Sequence, residues 1–363
     1  MWITTLALTA LSSPCAPPVA PLVAPASRGD HGKIAWFEGS YKDAVRAAKT
    51  EDKLIFIDFW TTWCGWCKKL DADTFSADSV VAEMKDVICV NLDAEGMEGG
   101  PVARSLGVSS YPTVVFLTAD GRPEDFIAGY LGPDEFLVEV RRIKSGKDTL
   151  SSFRKRFEAD PDDLDARYQY AQKLMRLGGK QEADKELQYI RKVDPEGKSI
   201  PMQRLKLEAL LKEAVEVYRE RQEFNAEAVV KLLADTQHDQ ICFEGFSTLA
   251  SLYEQLQQGA DCRAAYRKAW ATCPDDEKAP FGNTLAWSYW TMRAELEDSD
   301  KKLALAAATI ANKAEPDNVN FLDTFACCNY MNGKKEEARK AMQRCIELQP
   351  DKPTWKIRLR EFV

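Results

Sequence analysis

Cys64-Gly65-Trp66-Cys67 is the part of this sequence with the most chemical content. Two thiols with two residues between them can close a reversible disulfide, and the thiolate is the species that attacks another disulfide. The setting decides between a redox dithiol and half of a metal clip. The run Leu54-Ile55-Phe56-Ile57-Asp58-Phe59-Trp60 before the pair reads as a buried strand, and Lys68-Lys69-Leu70 after it opens a helix. A cysteine at a helix start meets unpaired backbone N–H groups and the positive end of the helix dipole, which favour the thiolate. Cys64 is therefore the expected nucleophile, forming a mixed disulfide with a client. Cys67, one turn on, then attacks Cys64 and releases the reduced client. A zinc site takes four ligands, usually a second cysteine pair or spaced histidines. Here Cys327 and Cys328 are adjacent and the only histidines are His31 and His238, so neither zinc nor haem is expected. The redox centre is the Cys64–Cys67 disulfide, with no added cofactor.

The stretch from Asp58 through Trp63-Cys64-Gly65-Trp66-Cys67-Lys68 resembles the active-site segment of thioredoxins. Tyr111-Pro112-Thr113, ahead of Val114-Val115-Phe116-Leu117, is similar to that family's cis-proline loop and the strand that follows it. Gly129 and then Pro133-Asp134-Glu135 resemble its C-terminal half. From Cys67-Lys68-Lys69-Leu70 to Thr74-Phe75-Ser76 the sequence is similar to the thioredoxin-like domains of extracytoplasmic thiol:disulfide interchange proteins. The resemblance runs over residues 33–148.

It implies a thioredoxin fold and a set of roles. Asp58, six residues before Cys64, falls where the family carries a buried acid, and an acid inside an apolar run has a raised pKa suited to moving the Cys67 proton. The alternative is a strand-end aspartate facing water. Pro112 is expected after a cis peptide bond, opposite Cys64. Tyr111 then offers its backbone N–H and C=O to an extended client, as in strand addition. Trp63, Gly65 and Trp66 flank the dithiol as a client-contact surface, with plain packing as the alternative for the two tryptophans. Two positions depart from the family: Trp66 stands in place of proline, and the family's buried lysine maps onto Cys89. Both bear on the reduction potential, which spans about −270 to −120 mV among such dithiols. The resemblance points to a reductase fed by a thiol donor.

The elements that position these residues follow from the hydrophobic pattern. Helices are expected over 41–49, 67–70, 79–85, 101–105 and 134–145, and strands over 53–60, 87–92, 113–117 and 125–128. Beyond Gly146-Lys147 strand signals stop. Pro161 to Pro195 and Pro316 to Pro350 are each 34 residues apart, whereas Pro274 to Pro316 is 42, which places an insertion near 295–302. That period is the tetratricopeptide (TPR) signature, a stack of helical hairpins. Small residues (Ala171, Ala183, Ala250, Cys262, Ala326, Ala338, Cys345) recur where paired helices approach. Residues 198–239 fit the repeat badly and read as a degenerate unit or a spacer, and 353–363 as a capping helix. The expected architecture is an α/β thioredoxin fold over 27–148 followed by an all-α TPR-type solenoid over 149–363.

The chain carries a net charge of −8 and has no basic tract, which excludes nucleic acid as a partner. The acid excess sits on the redox half: residues 27–148 hold 15 Lys+Arg against 21 Asp+Glu, and 149–363 hold 34 against 36. The first 26 residues are uncharged. Their apolar run 2–11 is too short to span a bilayer, and Ala24-Pro25-Ala26 before Ser27 resembles a signal-peptidase site. A signal peptide over 1–26 and a periplasmic or secreted location are expected, with a cytosolic leader as the alternative. Its removal leaves nine of the ten cysteines, an odd number. A disulfide among Cys242, Cys262, Cys273, Cys327, Cys328 and Cys345 stays open, and Cys89 reads as an interior strand residue.

Three functions fit. The first is a thiol–disulfide oxidoreductase acting on client proteins, with repeats that recruit a client or partner protein and a thiol donor or acceptor that resets the dithiol. The second is a binding scaffold with an ancillary thioredoxin module. The third is a redox-sensing switch in which the state of Cys64–Cys67 alters what the repeats bind.

Overall fold

The structure is a computed structural model and describes residues 31–362. The expected leader and its cleavage site lie outside those residues. By its contacts the chain divides between Met202 and Gln203.

In the first unit, helix α1 (Tyr41–Glu51) starts at a capping box, in which Ser40 and Asp43 satisfy each other's backbone N–H groups. Strand β1 (Ile55–Trp60) follows, buried at every position but its last. The chain then turns through the dithiol into α2 (Gly65–Lys69), which runs on as a π-helical turn over Leu70–Thr74. Next come α3 (Asp78–Glu83), β2 (Ile88–Asp93), α4 (Gly99–Ser105), β3 (Thr113–Leu117), β4 (Pro123–Ala128) and α5 (Pro133–Lys144). The sheet order is β2-β1-β3-β4. The β1–β2 pair is parallel, and the other two pairs are antiparallel. This is the expected mixed sheet flanked by helices. β1 is central because its continuous apolar run can be covered on both faces. Phe56 anchors one face, with the Phe116, Phe75 and Phe136 rings at 5.4, 5.8 and 6.2 Å. Edge-to-face packing of this kind adds about 0.5–1.5 kcal/mol per pair to the burial of the rings.

β4 is an edge strand, and a bare edge invites unwanted pairing. Three helices of the repeat region belong to the same unit: α6 (Leu150–Ala159), α7 (Leu164–Arg176) and α8 (Lys180–Val193). Ser151 on α6 donates to Glu124 on β4. Asp125, fully buried on β4, receives Lys173 Nζ from α7 at 2.6 Å. Arg142 Nη1 from α5 approaches its other oxygen to 2.9 Å, off the hydrogen-bond axis, so that contact is ionic. Burial draws the Lys173 pKa down, against the opposing pull of Asp125.

The second unit is helical throughout. Its elements are α9 (Ile200–Arg221), α10 (Glu227–Asp235), α11 (Asp239–Gln255), α12 (Gly259–Ala271), α13 (Lys278–Thr291), α14 (Asp298–Ala314), α15 (Val319–Met331), α16 (Lys335–Leu348) and α17 (Pro353–Glu361). α11 with α12, α13 with α14, and α15 with α16 form hairpins, and α17 packs on the last. Ala250, Cys262, Ala326, Ala338 and Cys345 are fully buried, as close helix approach requires. Most of the excess in the 42-residue spacing comes from a 3-10 turn at Arg293–Glu295 and from an α14 of 17 residues where α16 has 14. The stretch that fits the repeat badly is a 22-residue helix, α9, followed by the nine-residue α10.

The seven described cysteines outside the dithiol are free thiols. Several serve as small interior groups: Cys262 donates weakly to the Ala250 carbonyl at 3.4 Å and Cys328 to Ala286 at 3.8 Å. Burial pushes the Cys262, Cys273, Cys328 and Cys345 thiols up to about 12. Among the described residues, no helix is long and apolar enough to cross a membrane.

Candidate active site

The active-site turn is set by where β1 ends. Trp60 is its last residue, Thr61 begins the turn, and Cys64 is the N-cap of α2 with extended backbone. The Cys64 sulfur accepts the Cys67 backbone N–H at 3.1 Å, which meets one of the donors a helix start leaves unpaired. Cys64 and Cys67 form a disulfide with Cα atoms 5.3 Å apart. Both cysteines are only 4% exposed, with the Cys64 sulfur folded back over the first turn toward that N–H.

Asp58 is buried on β1, which removes the strand-end reading. Its Oδ2 accepts a hydrogen bond from Asn91 Nδ2 at 3.1 Å, and its Oδ1 has no protein partner among the described residues. Burial, with the charge of Asp71 second, holds the Asp58 carboxyl well above the usual carboxylate range. Cys89 does not reach it. That thiol lies in the apolar core, pushed up to about 12, and the parallel register sets Asn91 across from Asp58. The polar group that faces Asp58 from β2 is thus a neutral amide donor. Asp71 and His31, which sequence reasoning missed, complete the polar pocket. His31 Nδ1 lies 3.2 Å from Asp71 Oδ2, and the His31 ring is 4.6 Å from that of Trp60. Asp71 could have been found by its spacing, four residues after Cys67. Asn91 needed the strand register, and His31 the tertiary fold.

The Tyr111–Pro112 peptide is cis. Gly129 donates its N–H to the Pro112 carbonyl at 2.9 Å, tying this loop to the end of β4. Trp63 and Trp66 are 65% and 60% exposed, so packing does not account for them. Each leans on one aromatic neighbour. Trp63 lies edge-on to Tyr111 at 6.0 Å and donates to Glu95 at 2.9 Å. Trp66 meets Tyr130 at 5.5 Å, whose hydroxyl donates to Asp73 at 2.9 Å. Between the tryptophans, Gly65 faces open space. Among the described residues, no group of His, Cys, Asp and Glu is placed to hold a metal ion. The Cys64–Cys67 disulfide is the redox centre.

Residues 41–144 match the family model of a thioredoxin-like domain. A thiol:disulfide interchange protein DsbD of Tatumella citrea is 24% identical over 102 residues, which are 27% of this chain and 18% of that protein. A thioredoxin of Echinococcus granulosus is 40% identical over 73 residues, 20% of this chain and 64% of its own length. The chain thus spans less than a fifth of the first of these relatives. Among solved structures, the reduced C-terminal domain of DsbD from Neisseria meningitidis is 25% identical with a TM-score of 0.25, covering 28% of this chain and 91% of that domain. The chain therefore holds a thioredoxin-like domain, whose Cys-Gly-Trp-Cys disulfide supports disulfide oxidoreductase activity, followed by a long helical repeat region.

Proposed function

We propose that this protein is a thiol–disulfide oxidoreductase acting on client proteins as a reductase. The observation that carries the reading is a disulfide at the start of α2 with a buried carboxyl of raised pKa, Asp58, on the strand that leads into it. In the reduced enzyme the Cys64 thiolate attacks a client disulfide, forms a mixed disulfide and expels one client thiolate, which takes up a proton. Ionised Asp58 accepts the Cys67 proton. The Cys67 thiolate then attacks the Cys64 sulfur and expels the second client thiolate. Two electrons have passed to the client, and the enzyme is left as the Cys64–Cys67 disulfide, which a thiol donor must reduce. A carboxyl with a raised pKa is the stronger base once ionised, which suits it to this step.

Clients are held by backbone pairing at Tyr111 beside Pro112, with Trp63, Gly65 and Trp66 as the apolar contact surface; the exposure of both indoles supports this. Residues 149–363 are read as TPR-type repeats that recruit a client or partner protein, supported by the hairpins and the 34-residue period. The thioredoxin-like domain is assigned to 27–148. An extracytoplasmic setting, periplasmic or secreted, rests on the apolar leader over 1–26. The test is equilibration of Cys64–Cys67 against glutathione, with Cys64→Ser as control. A potential near −270 mV is expected. A value near −120 mV would make it an oxidant, and failure to equilibrate would refute the enzyme reading.

A further inference from the structure

Gly107, just past the end of α4, and Gly178, just past the end of α7, both adopt left-handed backbone, with φ of 69° and 75°. A Cβ on Gly107 would stand 2.6 Å from the Gly178 nitrogen and 2.7 Å from the Arg176 carbonyl. A Cβ on Gly178 would stand 2.9 Å from the Ser105 carbonyl. Two helix C-termini therefore meet backbone to backbone, an approach open only to glycine on both sides. α7 is held there by the Lys173–Asp125 ion pair, and by Lys173 and Arg176 lying 5.9 and 5.6 Å over the Phe126 ring. The turn between α7 and α8 is thus a fixed part of the redox unit.

What it abuts is the loop that carries Tyr111. Gly107 precedes Tyr111 by four residues, so the contact lies within about 14 Å of the Tyr111 backbone by chain length alone. An extended client rises about 3.3 Å per residue, so a residue roughly four positions from its pairing with Tyr111 can reach the turn. The side chains exposed there are Arg104 on the last turn of α4, with Met175, Arg176 and Lys180 on the hairpin. Among the described residues neither Arg104 nor Lys180 has an ion-pair partner. Arg104 lies in a stretch whose charge is otherwise acidic, 15 Lys+Arg against 21 Asp+Glu over residues 27–148, and Arg176 and Lys180 are brought to it from the nearly balanced stretch that follows.

We propose that the α7–α8 turn, with Arg104, is the far wall of the client channel, and that it selects client segments carrying Asp or Glu about four residues from the reacting cysteine. The proposal rests on the oxidoreductase reading and makes the first repeat hairpin a specificity element instead of a separate docking module. The full-length protein is assayed on two disulfide-linked peptides, identical except for a pair of Glu or a pair of Lys at those positions. The acidic peptide is expected to be favoured in kcat/KM by about tenfold at low salt, with the gap closing as salt rises. Lys180→Glu alone, and Arg104→Glu with Lys180→Glu, should shrink and then invert the ratio through KM. Because the ratio is taken within one preparation, a partly folded variant still reports. A wild type without preference, or a ratio unmoved by charge reversal, overturns this proposal and leaves the oxidoreductase reading standing. Turnover of neither peptide by the wild type overturns both.

Discussion

Replacing Lys173 with methionine should unsettle the thioredoxin-like domain, although the residue lies 106 positions beyond Cys67 in sequence. The substitution keeps most of the side chain's apolar stem and removes the charge that sits 2.6 Å from Asp125. Asp125 is fully exposed to the consequence because it is fully buried, with Arg142 as its one remaining cation at 2.9 Å. Breaking a buried pair from one side costs about 3–5 kcal/mol, since the surviving charge stays desolvated. Arg142 remains in place, so the lower end, about 3 kcal/mol, is expected. For a unit of this size that is a fall in Tm of roughly 6–12 °C. The assay is calorimetry on the full chain. The transition of residues 31–202 is identified as the one that also shifts when Cys64–Cys67 is reduced, because that unit holds the disulfide. Removing all three charges together, as Lys173→Met with Asp125→Leu and Arg142→Met, should restore much of the loss, because a buried ion cluster and an apolar one of similar volume are often close in stability. A single substitution that moves Tm by less than about 2 °C would refute the claim that this cluster clamps α7 to the sheet.

Asp58→Asn should change the pH dependence of stability. The folded pKa of Asp58 lies above its unfolded value of 3.8, so between the two the unfolded chain releases its proton first and wild-type stability falls as pH rises. The asparagine variant lacks that fall. It should match the wild type below the unfolded pKa and exceed it in neutral buffer, by about 1.4 kcal/mol for each pH unit that separates the folded and unfolded pKa values. Urea unfolding at a series of pH values checks this, and a pH-independent difference between the two proteins would contradict it. Thiol labelling with peptide mapping should find Cys89, Cys262, Cys273, Cys328 and Cys345 nearly inert in the folded protein, each being buried with its thiol pushed up to about 12. A pKa that high lowers the thiolate fraction on the order of a thousandfold against a free cysteine. Half-buried Cys242 should react first, and rapid labelling of any of the five would show that the interior opens.

Much of the redox site was legible because its signals are local. A strand, a turn and a helix start occupy consecutive residues, so Cys64 and Cys67 could be placed from spacing and hydrophobic pattern, and Asp58 from the resemblance of this segment to the thioredoxin active site. The repeat region was legible for a similar reason: each hairpin is made of neighbours in sequence, and the period survives in the prolines and small residues. Its misfits were also physical. The irregular stretch after residue 198 is a long helix beside a short one, which leaves no 34-residue period to detect.

What pattern could not supply were the contacts made across large separations. Asn91 meets Asp58 only because β1 and β2 pair in parallel at one register out of several that their apolar runs would tolerate. His31 meets Asp71 across 40 residues. Lys173 looks in sequence like any lysine on a helix, and only its position over the β4 edge makes it a buried ion. Gly107 and Gly178 each read as an ordinary helix terminator, and it took the folded chain to set one against the other. The sequence by itself determined the reactive pair, the elements around it and the repeat that follows. Tertiary structure alone decided what surrounds the acid and where the repeat begins to touch the redox unit. The reason is that local chemistry depends on residues a turn apart, whereas burial, register and charge partnership depend on which distant segments share one interior.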